Sequence, residues 1–133
     1  MIDRQKLDEI LRMALLIGDV RSAALFVVGP DAGPLELAAA AGITGPALDA
    51  LTAAVRDPTH PVARALTDDG PTFDVAPIAP GGPALRSHLP ARDGDRTVGV
   101  LALAHDTALA PADRETLIGL ARAAATMLPV AGR

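Results

Sequence analysis

The chain has no cysteine, no tryptophan and no tyrosine among its 133 residues, and its aromatic side chains are Phe26 and Phe73 alone. Without a thiol there is no disulfide, no zinc–thiolate site and no cysteine nucleophile, and the composition fits a reducing compartment. Two rings offer no platform on which bases or large flat cofactors could stack in series. Positive charge is short too: Lys and Arg number 12 against 16 Asp and Glu, for a formal net charge of −4. Nucleic-acid binders carry a basic stripe or patch, so nucleic acid is not expected as a partner. No apolar run approaches the roughly 18 residues that span a bilayer. The start, MIDRQKLDEI, is charged from its third residue, unlike a secretory signal. These absences lead to the expectation of a soluble, cytoplasmic protein with no membrane partner.

What is present is one domain's length of chain, enough to bury roughly two thirds of the surface that unfolding exposes, and a single domain over 1–133 is expected. Leu7, Ile10, Leu11, Ala14 and Leu15 recur at helical spacing, with Asp3 to cap the start and Gly18 to end it. RSAALFVVG reads as a buried strand over 22–28, and PDAGPLELAAAAG adds a turn at 31–34 and a second strand. Helical period returns over 46–56, with Pro46 suited to a first turn, and a shorter helix follows at PVARALTDDG. From Pro71 to Pro90 the chain holds prolines at 71, 77, 80, 83 and 90 and the Gly81-Gly82 pair, which predicts a long loop able to cover a site. A hairpin turning at 93–96 on Asp-Gly comes next, and a last helix begins near Pro111 with Leu117, Leu120, Ala121, Ala124 and Leu128 on one stripe. Helix, two strands, short helices, loop, strands and helix together make an α+β domain on an antiparallel sheet.

In this order the chain resembles a GAF domain, a small sensory domain common in bacterial signalling proteins. The resemblance rests on AALFVVGPDAGPLELAAAAG, HPVARALTDDGPTF, LRSHLPARDGDRTVGVLALAH and LAPADRETLIGLARAAATML. It implies a five- or six-stranded antiparallel sheet with the terminal helices on one face and short helices plus a long loop on the other, around a small-molecule pocket. It also implies a homodimer formed through the first and last helices. The chain lacks the cysteines of bilin-binding members and of those that reduce free methionine sulfoxide. The Asn-Lys and Asp-Glu residues associated with cyclic-nucleotide binding are not found either. The expected function is small-molecule sensing or regulation in signalling, with no catalysis and no cofactor; the alternative is a roadblock-like dimerisation or adaptor module without a ligand.

Candidate polar residues are few. A hairpin symmetric about Gly94-Asp95 sets His88 opposite Leu101, leaving His105 roughly 13 Å away along the sheet, too far for the two histidines to share a metal. His60 sits between Pro58 and Pro61 with no ligand-spaced partner. The paired aspartates at 68–69 and those at 93 and 95 fall at turns, where aspartate bonds its own backbone. Serines occur at 22 and 87, and no serine–histidine–aspartate arrangement follows from spacing. The same register puts Arg86, His88, Leu101, Leu103 and His105 on one face: apolar walls with convergent donors, as a small anionic ligand requires. The expected ligand site is therefore Phe73, Asp74, Ile78, Leu85, Arg86, His88, Leu101 and Leu103. Met13, Leu16 and Ile17 widen the first helix's apolar stripe beyond Leu7, Leu11 and Leu15, a surplus suited to a dimer contact.

Overall fold

The computed structural model describes residues 4–29, 33–67, 70–75 and 85–128. The first helix, α1, is Arg4–Leu15 and buries Leu7, Ile10, Leu11 and Ala14 along one stripe; the expected cap Asp3 lies outside the described residues. Strands β1 (Val20–Gly29) and β2 (Gly33–Ala41) pair antiparallel. Two short helices, α2 (Gly45–Ala54) and α3 (Pro61–Arg64), follow, each with proline in its first turn, where a missing N–H costs nothing. Strands β3 (Thr72–Val75), β4 (Leu85–Asp93) and β5 (Arg96–His105) come next, and α4 (Pro111–Ala125) closes the chain. The sheet is five-stranded and antiparallel in the order β2-β1-β5-β4-β3, an α+β architecture as expected. Among the described residues, no helix is long and apolar enough to cross a membrane.

The loop expected from Pro71 to Pro90 is corrected at both ends. Thr72, Phe73 and Val75 are good strand formers and extend the sheet, and β4 begins at Leu85. Pro90 is compatible with a strand because β3 pairs with β4 only as far as His88, leaving Pro90 on a sheet edge. Residues 76–84 lie outside the described residues.

The second correction governs the site. The turn falls on Gly94-Asp95 as expected, with Gly94 at φ 64°, and Asp93 pairs with Arg96 and Arg92 with Thr97. Between Ala91 and Arg92 the register shifts by one residue. Beyond that bulge His88 faces Ala102, Leu89 faces Leu101 and Arg86 faces Ala104. Because side chains alternate, this one-residue slip moves Leu85–Ala91 to the other face relative to β5.

Two layers cover the sheet. Against one face, α1 and α4 bury Ala23, Leu25, Val27, Leu89, Leu101 and Leu103 with their own Leu7, Leu11, Leu117 and Ala121. Each fully buried leucine there contributes roughly 1.5–3 kcal/mol. On the other face a much smaller cluster joins Ala24, Phe26, Leu35, Val100 and Ala102 to Val55, Val62 and Ala65 of the α2–α3 segment. Strands β1 and β5 approach closely where Val27 pairs with Gly99; a Cβ at Gly99 would stand 2.2 Å from the Phe26 carbonyl oxygen.

Candidate functional site

The bulge at Ala91/Arg92 divides the expected site residues between the two faces. Leu101 and Leu103 are 0% and 2% exposed inside the core under α1 and α4, and Leu85, paired with His105, shares their face. Phe73 packs against the same core. Arg86 and His88 alternate with Ser87 and Leu89, so they point to the opposite face, beside Ala102 and Ala104. The expected grouping of Arg86 and His88 with Leu101 and Leu103 is thus corrected. Ile78 lies outside the described residues.

On the α2–α3 side, Thr72 pairs with His88 and Val75 with Arg86, adding two β3 side chains to that face. His88 is buried. His60, the N-cap residue of α3, accepts the Val62 N–H on its Nδ1 at 3.1 Å. That bond requires an unprotonated Nδ1. Burial lowers the His60 pKa below its ordinary value, the Arg86 charge lowers it further, and Asp57 opposes them. Asp57 in turn accepts both the Thr59 N–H and hydroxyl at 2.9 and 2.8 Å, which holds its own pKa down. Arg86 therefore brings a positive charge to the same region as the His60 and His88 imidazoles, over a floor of Val62, Val100 and Ala102. Such a surface offers a planar fork for a carboxylate or phosphate and an apolar bed for the rest of a small ligand.

A second polar cluster lies on the helix side, and sequence spacing missed it. Asp74, His105 and Ser87 come together because the bulge makes Ser87 and His105 diagonal neighbours on one face. The Asp74 N–H donates to Ser87 Oγ at 3.2 Å, and Ser87 Oγ lies 2.8 Å from His105 Nε2. His105 Nδ1 lies 2.8 Å from the Thr107 carbonyl oxygen, an acceptor only, so Nδ1 carries a proton and donates it to that carbonyl. The Asp74 carboxylate stands 3.9 Å from Nε2, not at Nδ1 where it would orient a catalytic histidine. Ser87 and His105 are both fully buried. The arrangement is a satisfied internal network.

Asp74 continues that network into α4. Its Oδ1 accepts the Leu109 N–H at 3.1 Å and its Oδ2 pairs with the Arg114 guanidinium, which also donates to the Leu109 carbonyl at 3.1 Å. The guanidinium sits 4.8 Å over the Phe73 ring. Asp74 adopts φ 59°, a left-handed conformation that aspartate tolerates better than most residues. Among the described residues, no group of three or more His, Cys, Asp or Glu side chains is placed to hold a metal ion.

Comparison with known proteins agrees with this architecture. No curated protein matches the chain in sequence. Solved structures share the fold at low identity. The GAF domain from a phosphoenolpyruvate-protein phosphotransferase of Coxiella burnetii is 13% identical, with a TM-score of 0.74 over 93% of this chain and 80% of that one. The GAF-B domain of DevS from Mycobacterium smegmatis is 20% identical, with a TM-score of 0.68 over 94% and 92%. A type II free methionine-R-sulfoxide reductase from Thermoplasma acidophilum is 13% identical, with a TM-score of 0.73 over 93% and 89%. The sequence profile of the GAF domain matches residues 4–128, nearly the whole chain. The chain belongs to the GAF domain family.

Proposed function

We propose that this GAF domain is a non-catalytic sensor that binds a small anionic ligand on the α2–α3 face of its sheet, with Arg86 as the principal anion contact. The observation that carries this reading is the placement of Arg86 and His88 on the thinly packed face, with His60 close enough for the Arg86 charge to act on it. Arginine supplies a charge that does not titrate, and the imidazoles supply hydrogen bonds. Reduction of methionine sulfoxide through cysteine is closed to a chain without one. The test is thermal unfolding with a panel of small carboxylates and phosphates. A ligand present at 100 times its dissociation constant stabilises by about 2.7 kcal/mol, a shift of several degrees that Arg86→Ala should remove.

We further propose that the domain works in the cytoplasm as a homodimer through α1 and α4. Ile10 is core in the single chain, but Met13 and Leu16 are 48% and 82% exposed and supply the apolar surplus. Leu16→Glu should yield a folded monomer by sedimentation. An unaltered dimer in that variant, or a monomeric parent at high micromolar concentration, would count against it.

A further inference from the structure

Among the described residues, Asp74 connects the α2–α3 face to the α1–α4 face at the sheet edge. Two pairs, Thr72↔His88 and Val75↔Arg86, place the cationic residue of the proposed site and its neighbour His88 opposite β3 side chains, and Asp74 lies between them where the β3–β4 register shifts. With φ 59° at that irregularity, Asp74 sends its carboxylate through to the other side, onto Leu109 and Arg114 at the start of α4. Its backbone N–H meanwhile bonds Ser87, the residue next to Arg86, and Ser87 bonds His105 at the end of β5.

We propose that Asp74 is a positioning residue that couples the ligand face to α4: displacement of β3 and β4 at Val75 and Arg86 is transmitted through Asp74 to Leu109 and Arg114. The inference rests on the reading of the Arg86 face as the ligand site, and it supplies the regulation of that site. The Arg114 backbone N–H bonds the carbonyl of the N-cap residue Ala110, so Arg114 meets the edge strand through its side chain, and the Asp74 carboxylate is its ion-pair tie there. The cation–π contact of Arg114 with Phe73 reinforces the same tie, because Phe73 precedes Asp74 in β3. Salt bridges held by one carboxylate between two elements act as two-position connectors when the elements shift.

The test needs no ligand. Backbone amide resonances of Leu109 and Arg114 are measured in the parent, in Arg86→Ala, in Asp74→Asn and in the double variant. Arg86→Ala is expected to move both resonances in the parent and to leave them unmoved in the Asp74→Asn background. Amide exchange at Leu109 should quicken roughly tenfold in Asp74→Asn, from loss of a charge-assisted acceptor. If Arg86→Ala leaves both resonances in place in the parent, or moves them equally in both backgrounds, the coupling is overturned. Should Asp74→Asn fail to fold, Arg114→Met keeps the Asp74 bond to Leu109 and must still shrink the Arg86→Ala response at residue 114; an undiminished response overturns the proposal. The anion panel judges the ligand reading separately, so failure of one is not failure of the other.

Discussion

The two faces of the sheet are built from the same strands yet packed to different depths. Under α1 and α4 the strands give Ala23, Leu25, Val27, Leu89, Leu101 and Leu103 to a large core shared with two long helices; under α2 and α3 they give Phe26, Leu35, Ala24, Val100 and Ala102 to a smaller one, and α2 itself buries no residue fully. A deep core tolerates neither cavities nor charges, whereas a shallow one leaves room for polar side chains with work other than packing. Stability therefore resides on the helix face, and Arg86, His88 and His60 lie on the face that can spare the volume. The bulge at Ala91/Arg92 decides which residue joins which face.

The largest expected effect is on the helix face. Leu101→Ala should cost about 2–5 kcal/mol by chemical denaturation, and Leu101→Asp should prevent folding, since the site is fully buried. Arg86→Ala, beyond the bulge on the other face, should stay within about 1 kcal/mol of the parent. Near-equal costs for the two would break the comparison. Gly99→Ala should come next, at about 1–3 kcal/mol, because the new Cβ meets the backbone carbonyl of Phe26, which has no rotamer to escape through. Asp74→Asn should cost about 1.5–3 kcal/mol, because it loses the Arg114 pair and weakens the bond to Leu109.

The smallest effect is in pH. The folded-state pKa of His60 is depressed by burial and by Arg86. Above pH 6.5 both folded and unfolded forms are neutral there and stability does not change with pH on this account. As pH falls through 6.5 the unfolded chain takes the proton first, so stability is lost until the folded pKa is reached. Melting curves between pH 7.5 and 5.5 should show this loss, and His60→Asn, which keeps a side-chain acceptor for Val62 N–H, should flatten it. A slope unchanged in His60→Asn would assign the effect elsewhere.

Most of the fold was legible because it follows from local patterns. Helical period marked α1, α2 and α4, a short bounded apolar run marked β1, an alternating apolar run marked β5, and Asp93-Gly94 marked the turn, each a signal within a few residues. Two features were hidden. The bulge at Ala91/Arg92, where Ala91 pairs with Gly99 and Arg92 with Thr97, had Gly99 inside the β5 run as its signal, and symmetric counting from the turn passed over it and put Arg86 on the face of Leu101. The Asp74 network joins residues 13 to 40 positions apart, and its members carry no shared spacing. Once the register is known, Ser87 and His105 become diagonal neighbours and part of the network becomes readable. His60 was passed over as a loop histidine, although His60-Pro61 before an apolar residue is a helix-start signal of the same kind as Thr44-Gly45-Pro46 before α2.

The claim that the thinly packed face holds an anion through Arg86 is tested most directly by titrating small carboxylates and phosphates into three proteins by calorimetry: the parent, Arg86→Ala and Arg92→Ala. Arg92 is an exposed arginine on the same strand beyond the bulge, and it controls for general attraction to positive charge. The account predicts saturable binding of at least one anion to the parent and to Arg92→Ala, and none to Arg86→Ala. Binding that survives in Arg86→Ala, or a parent that binds no member of the panel, would contradict it.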